Sequence, residues 1–551
     1  MEAPRTLSFG ILCNGTTFPQ WQAAALQLLL NNPACKLKLV VVNTNPSPKK
    51  NIFKKLFSRT LLFTQYENRF LKIPALKKVD LQQAFTQCTV LQATTLRKGR
   101  FSHYFSADDI ETIKGHELDF IVRFGFGIIK GDILTAAKYG VWSYHHGDEI
   151  KFRGGPAGFW EIFNRSAVTS AILQQLTPTL DGGKVLKKGY FKTIHHSYPE
   201  QLDTLLSQTS SWLLQVALQV AHSNKLPEIP SETKAEKLHK APGNLAFSWF
   251  WVLILVNKIR FKLNNLFKVE IWNIGTLTNT IEEVVEGKKL SIKWLPGHKP
   301  QSLTYRADPF VLTEPGREVF LYEKFDYHTH KGHIEAIEHY PLTNTYTQEN
   351  IIIPPGTHHS YPFAFEYNNT RYCLPENFEA NNAVLYLMNK NNDLKKVSVV
   401  LGGIPAVDPT LVYHDDTFWL FFTLKNALPN AQLFIYHSAA IEGPYEPHIL
   451  NPVKTDISSA RPAGNFFRYK GDLIRPSQNC THTYGGSLVL NRVIKLSKTD
   501  YVEEKLTEVM PFDEEYNKGL HHLSVAGNVL AVDGKKYIFS LSLLLKRLQG
   551  K

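Results

Sequence analysis

The sequence predicts an open α/β domain followed by an all-β domain made of a repeated unit the size of a propeller blade. Three observations carry this. Up to residue 226, short β-branched runs alternate with stretches of helical spacing; residues 227 to 240 are polar and proline-punctuated; after Val269 aromatic and β-branched runs are separated by Gly, Pro, Asn and Asp. The expected organisation is an α/β domain over 1–226, a linker with an apolar and basic segment over 227–268, and an all-β domain over 269–551.

In the first part, Leu7 to Leu12 and Leu37 to Asn43 read as strands, and Phe18 to Leu30 between them has helical spacing ended by Asn31-Asn32-Pro33. That is a βαβ unit. Asp108 and Asp109 place acids in the first turn of a second helix, Asp119 to Gly125 is a buried-strand pattern, and Gly131-Asp132 opens a helix expected over Ile133 to Tyr139. Such alternation implies a mostly parallel, Rossmann-type sheet with helices on both faces and a ligand site at the carboxyl ends of the strands.

In the second part, a weak period of roughly fifty residues has five markers, which predict five blades. They are Asp308-Pro309-Phe310, Tyr361-Pro362-Phe363, Asp408-Pro409, Arg461-Pro462 and His521-His522. Asp415-Asp416 is expected as a hairpin turn between aromatic strands.

Composition is that of a globular chain: 551 residues, 43% hydrophobic and 20% charged, which excludes disordered, collagenous and small disulfide-scaffold classes. The formal charge of +13 favours anionic partners. Five cysteines without a CxxC pair indicate neither a zinc site nor a disulfide framework, so a reducing compartment is expected and no metal is assigned. The amino terminus has no signal-peptide pattern. Leu245 to Val256, followed by a basic-apolar stretch to Lys268, is shorter than the ~20 apolar residues a spanning helix needs. It reads either as a helix buried in the protein or as an interfacial segment, giving a peripheral membrane contact through 245–268.

Tyr139 to Pro156 places a strand, His145-His146 and a Gly/Pro-rich loop at a strand end, and Asp181 follows in an Asp-Gly-Gly turn. A His and an Asp converging on a cleft can deprotonate an amine and polarise a transferred carbonyl. Asn14-Gly15, after the first strand, is either an ordinary βα turn or a phosphate cradle. The stretch resembles the folate-dependent formyltransferases (glycinamide ribonucleotide, methionyl-tRNA and sugar N-formyltransferases) over roughly residues 6 to 200. Ser143-Tyr144-His145 falls on that family's Asn-x-His, Phe152-Arg153-Gly154 on its Tyr-Arg-Gly, and Asp181-Gly182-Gly183 on its Asp turn. Phe124, Gly125, Phe126, Gly127 and Ile128 fall on the strand and loop bordering its folate site. The resemblance implies 10-formyltetrahydrofolate as cofactor, His145, Asp181 and Ser143 as catalytic residues, and Arg153 and Gly154 as substrate contacts; Asn14 is the substrate contact expected if the βα turn cradles a phosphate. Ser143 departs from the family's Asn and replaces an amide donor to the formyl oxygen with a hydroxyl.

In the second part, Asp308, Glu323, Glu366, Glu376 and Asp408 lie beside aromatic strands. Paired carboxyls flanked by aromatics suit sugar binding and glycoside chemistry, while Asp-Pro by itself equally serves a blade turn. Ala307 to Phe310, Gly332-His333-Ile334, Tyr361 to Glu366, Leu374-Pro375-Glu376 and Asp408 to Leu411 resemble the propeller-like N-terminal domain of plant glucosamine inositolphosphorylceramide transferases, and more distantly the five-bladed arabinanase-type glycosidases. That resemblance covers about residues 270 to 545 and puts Asp308 and Asp408 on the glycosidases' two aspartates. The expected fourth-blade Glu is replaced by Arg461, Arg475, Gln478 and Tyr484, so Asp308, Glu366, Asp408 and Arg461 are expected to bind an anionic saccharide.

The leading expectation is therefore a cytoplasmic enzyme, peripheral to the inner face of the membrane, that formylates an amino sugar or a nucleotide- or lipid-linked glycan recognised by the propeller. No nucleic-acid partner is expected. The alternatives are a glycan-active propeller enzyme of glycosidase or glycosyltransferase type beside a degenerate first domain, and a non-catalytic carbohydrate-binding scaffold.

Overall fold

The structure, a computed structural model, describes residues 5–46, 58–98, 102–178, 183–229, 238–297 and 303–548. It divides into two compact units, Met1–Phe261 and Lys262–Lys551.

The first unit is built on a seven-stranded sheet in the order Lys184–Lys192, Val168–Gln175, Val141–His145, Phe120–Arg123, Leu7–Cys13, Cys35–Asn43 and Thr89–Ala93. The last five run parallel, while Val168–Gln175 and Lys184–Lys192 join antiparallel at one edge. Leu7–Cys13 is buried along its whole length, which fits a central parallel strand covered on both faces. Phe9, Phe120 and Trp142 stack across three adjacent strands, with ring centroids 5.4 and 4.1 Å apart. Ile133 to Tyr139, expected as a helix, forms only a 3-10 turn over Asp132–Thr135. The backbone N–H groups of Lys138 and Tyr139 donate instead to the carbonyls of Leu118 and Asp119, which draws the chain back onto the sheet.

Segment 227–268 contains the helix Asn244–Phe267. Phe247, Phe250 and Ile254 on this helix pack with Phe63, Phe159 and Tyr198 of the first unit. The division between the units falls within the helix.

The second unit is mostly β, in five small antiparallel sheets. In the first, Val269–Leu277 pairs along its full length with Val529–Ile538 near the carboxyl end of the chain, and Leu523–Ala526 and Ile292–Trp294 complete it. The other four follow in chain order and begin at Thr304–Glu314, Ser360–Tyr367, Ala406–His414 and Phe467–Tyr469. Thr304–Glu314 touches Val269–Leu277, Leu523–Ala526 and Ser360–Tyr367, and Ser360–Tyr367 touches Ala406–His414, so the leading strands of the first four sheets meet in turn. Asp415 and Asp416 take left-handed φ values of 48° and 53° in the hairpin joining Ala406–His414 to Thr417–Leu424.

Candidate functional site

Three of the leading strands carry the same irregularity. The ladder register slips between Ala307 and Phe310, between Ser360 and Phe363, and between Val407 and Thr410. The residues inside the slips are Asp308-Pro309, Tyr361-Pro362 and Asp408-Pro409. Proline has no N–H to give to a ladder, so it is accommodated at a bulge. The residue before it takes a left-handed φ: 53° at Asp308, 44° at Tyr361 and 51° at Asp408. This conformation is uncommon outside glycine and costs on the order of 1–3 kcal/mol, which the surrounding contacts must offset. A bulge re-aims the side chain of its extra residue. Here it places Asp308 and Asp408 in a buried polar cluster.

Asp408 is held from several sides. Its Oδ2 accepts from Arg461 Nε at 2.6 Å and Gln478 Nε2 at 3.1 Å, and its Oδ1 accepts from Arg461 Nη2 at 3.2 Å. Its backbone N–H donates to Glu376 Oε2 at 2.7 Å. The Arg461 guanidinium also lies 4.9 Å from the Tyr484 ring centre. At Asp308, His521 Nε2 stands 3.4 Å and His522 Nδ1 3.6 Å from Oδ1. His521 Nδ1 faces Asp533 Oδ2 at 2.5 Å, and the backbone N–H groups of His521 and His522 donate to Asp533 Oδ1 at 3.0 and 3.2 Å. The Tyr361 hydroxyl shares a 2.7 Å hydrogen bond with Thr410 and accepts from the Gly464 N–H at 2.8 Å.

These contacts separate the carboxyls into two protonation classes. Burial alone would raise Asp308, but His521, His522 and Arg461 outweigh it and hold this carboxyl below the usual aspartate range. Glu323 is pushed well above the ordinary value, first by burial and then by Asp308, Glu376 and Asp408. Glu376 is pushed up to about 8 by burial and Asp408, against the opposing pull of Arg461. Burial lowers His521, but Asp533 and Asp308 more than reverse this and raise it. Asp308 is thus biased toward its ionised form and Glu323 and Glu376 toward their protonated forms, the kind of division that acid–base chemistry at a glycosidic oxygen uses.

Space for Glu323 depends on a glycine. A Cβ on Gly332 would fall 2.2 Å from Glu323 Oε1 and 2.6 Å from the His359 carbonyl. One ligand atom from each of Asp308, His521 and Asp533 falls within 4.8 Å of the others, as a bound cation requires. The three side chains are linked as ion pairs, His521 Nε2 to Asp308 Oδ1 at 3.4 Å and His521 Nδ1 to Asp533 Oδ2 at 2.5 Å.

Two expected members are elsewhere. Glu366 pairs with Arg371, whereas Glu376 pairs with Ser360, six residues before Glu366 on the same strand. At the rise of an antiparallel strand this separates them by about 20 Å. Glu366 is exposed and lines a cavity of about 380 Å³ with Thr313, Tyr367, Tyr413 and Asn465, away from the cluster. Arg475, expected in the funnel, is turned to Glu503, with Nε and Nη2 each 2.7 Å from a carboxylate oxygen. The positive charge of Arg461 is likewise committed to Asp408. Asp533 and Trp272, whose ring centre is 4.0 Å from that of His521, belong to the cluster without any sequence signal beyond a strand pattern.

In the first unit, Asn14, Phe124, Gly125, Gly127 and Ser143 line a cavity of about 320 Å³ with Trp21, Arg123 and His146. The Ser143 hydroxyl accepts from Arg123 Nε at 3.2 Å and Nη2 at 2.8 Å, so it is occupied by a guanidinium. Asn14 Oδ1 accepts from Asn43 at 2.9 Å. His145 and Ile128 lie beside Gln174 and Gly183 in a neighbouring cavity of about 120 Å³. Phe126 is in the hydrophobic core. The carbonyl of Arg153 accepts from the His239 N–H at 2.8 Å, and Gly154 bridges to His239, so this pair is covered by a later segment. Asp181 and Gly182 lie outside the described residues.

Residues 296–525 match the sequence family described as glucosamine inositolphosphorylceramide transferase 1, N-terminal. Curated relatives include glucosamine inositolphosphorylceramide transferase 1 of Oryza sativa subsp. japonica, 33% identical over 202 residues, covering 36% of this chain and 27% of the relative. The Arabidopsis thaliana protein of that name is 31% identical over 219 residues, covering 39% and 28%. The chain thus spans little more than a quarter of the length of these relatives. Among solved structures, an exo-β-1,3-galactanase of Phanerochaete chrysosporium aligns with a TM-score of 0.31 and 14% identity, covering 38% of this chain and 52% of that one. Glycinamide ribonucleotide transformylase 1 of Symbiobacterium toebii aligns with a TM-score of 0.27 and 13% identity, covering 42% and 95%.

The second unit's similarity to the inositolphosphorylceramide transferase N-terminal family is therefore found. The expectation of formyl transfer from a reduced folate is overturned. The curated relatives that match are named as glucosamine inositolphosphorylceramide transferases.

Proposed function

We propose that the second unit is a five-bladed β-propeller acting on a glycan, with the carboxyl cluster around Asp308 and Asp408 as its reaction centre. The observation that carries this reading is geometric: matching bulges bring Asp308 and Asp408 into one buried cluster, Asp308 beside His521 and His522, and Asp408 against Arg461 and the carboxyl of Glu376. A protonated glutamic acid donates to the departing glycosidic oxygen, and Asp308 accepts the proton of the incoming hydroxyl. Arg461 and Gln478 fix Asp408, which adds to the negative field that keeps Glu323 and Glu376 protonated. Closure of the propeller is supported by the pairing of Val269–Leu277 with Val529–Ile538, which ties the two ends of the unit into one sheet.

The similarity of residues 296–525 to the glucosamine inositolphosphorylceramide transferases supports a lipid-linked glycan as substrate, with a glycosylated inositolphosphorylceramide headgroup the first compound to try. The test is calorimetric titration of the full chain with that headgroup in soluble form, together with a turnover screen over aryl glycosides. Saturable binding weakened by Asp408→Asn supports the reading. Absence of both binding and turnover overturns it.

A further inference from the structure

We infer that the part of the helix Asn244–Phe267 belonging to the first unit, residues 244–261, seats the protein on an anionic membrane interface. The inference rests on this helix alone and is independent of the glycan reading. One face is accounted for by the first unit: Phe247, Phe250, Leu253 and Ile254 are buried, Asn257 Nδ2 donates to the His195 carbonyl at 3.2 Å, and Phe261 stacks on His196 at 4.0 Å. The opposite face is equally apolar and nothing in the first unit covers it among the described residues. Leu245 is 90% exposed, Trp249 54%, Val252 45%, Leu255 58% and Ile259 50%. Their spacing of four, three, three and four residues makes a single stripe on a helix, about 21 Å long.

A water-facing helix places polar residues on its outer side. This one carries an apolar stripe on its outer side as well as on its buried one, yet no described helix is long and apolar enough to cross a membrane. Lying in the interface satisfies both facts, with one face against protein and the other in the headgroup and acyl boundary. The charges fit an anionic lipid surface. Lys258 and Arg260 follow the apolar turns, and residues 244–267 contain no Asp or Glu. Trp249 and Trp251, both part-exposed, are of the residue type concentrated at headgroup depth.

The experiment is co-sedimentation of the full chain with phosphatidylcholine vesicles, with and without phosphatidylserine, read together with sedimentation velocity of the lipid-free protein. Phosphatidylserine is expected to strengthen partition, and Lys258→Gln with Arg260→Gln to remove roughly thirtyfold of it, taking about fivefold per cation. Trp249→Ser with Leu255→Ser, at exposed positions where refolding is not at stake, should weaken binding by about tenfold or more while circular dichroism stays unchanged. Equal partition into both vesicle types, no partition, or wild-type partition of the double serine variant overturns the inference. A dimer that those serines dissociate also overturns it, since the stripe would then be a self-association face.

Discussion

Asp308 and Asp408 occupy the same left-handed bulge on two different sheets, with φ of 53° and 51° and a proline after each. Each is held by a different cation: His521 stands beside Asp308, and Arg461 forks onto Asp408. The backbone repeats, while the electrostatic support does not. One carboxylate is left next to imidazoles that can exchange protons, and the other is fixed by a group that cannot.

Removing the fork should be costly. Arg461→Ala leaves Asp408 buried and without its cation, which typically destabilises by about 3–5 kcal/mol. Urea unfolding followed by the tryptophans of the second unit should show that loss, and Arg461→Lys should recover only part of it, because one ammonium cannot reproduce two hydrogen bonds.

The glutamic acid beside Asp408 sets a pH dependence of known sign. Glu376 is raised from 4.5 to about 8, so the folded state binds its proton more tightly than the unfolded chain does. Its stabilising contribution is complete below pH 4.5 and is lost as pH rises to about 8. Glu376→Gln keeps an oxygen for the Asp408 N–H and should flatten that limb of the stability profile. Glu503 behaves oppositely: burial raises it, but Arg475 and Lys454 outweigh this and bring it from 4.5 down to about 2. Its contribution is present above 4.5 and disappears as pH falls toward 2, so Glu503→Gln should remove stability at neutral pH and soften the acid limb.

His521 reports directly on Asp308. Its raised pKa depends on Asp533 and then Asp308 overcoming burial. Asp308→Asn removes one of those charges at a position where asparagine tolerates positive φ. Titration of the imidazole by NMR should give a lower pKa in the variant. An unchanged value would mean that Asp533 alone sets it.

Gly332→Ala tests the room made for Glu323. The new methyl would meet both the Glu323 carboxyl and the His359 carbonyl, so stability should fall by about 1–3 kcal/mol, with a larger proportional loss of glycan turnover than of glycan binding.

The sequence announced the Asp-Pro markers because proline in a strand pattern is informative, and Asp308, Tyr361, Asp408, Arg461 and His521-His522 all fall in or beside the cluster. Less legible was which glutamates join them. Glu366 and Glu376 are ten residues apart on adjacent strands of one hairpin, and only the register shows that they sit toward opposite ends of it. Asp533 was invisible for a similar reason: it lies on Val529–Ile538, brought to the cluster by pairing with Val269–Leu277 from the other end of the unit. In the first unit, Ser143 was read as a substitute for an amide donor. The guanidinium that occupies it comes from Arg123 on the neighbouring strand and could not be inferred from spacing along the chain.

The most direct test of the central claim compares Asp308→Asn with Glu366→Gln in a turnover assay on a glycosylated inositolphosphorylceramide headgroup. Loss of turnover in Asp308→Asn with headgroup binding retained, and wild-type turnover in Glu366→Gln, is the predicted result. Undiminished turnover in Asp308→Asn, or its loss in Glu366→Gln alone, would contradict the account and move the reaction centre to the cavity that Glu366 lines.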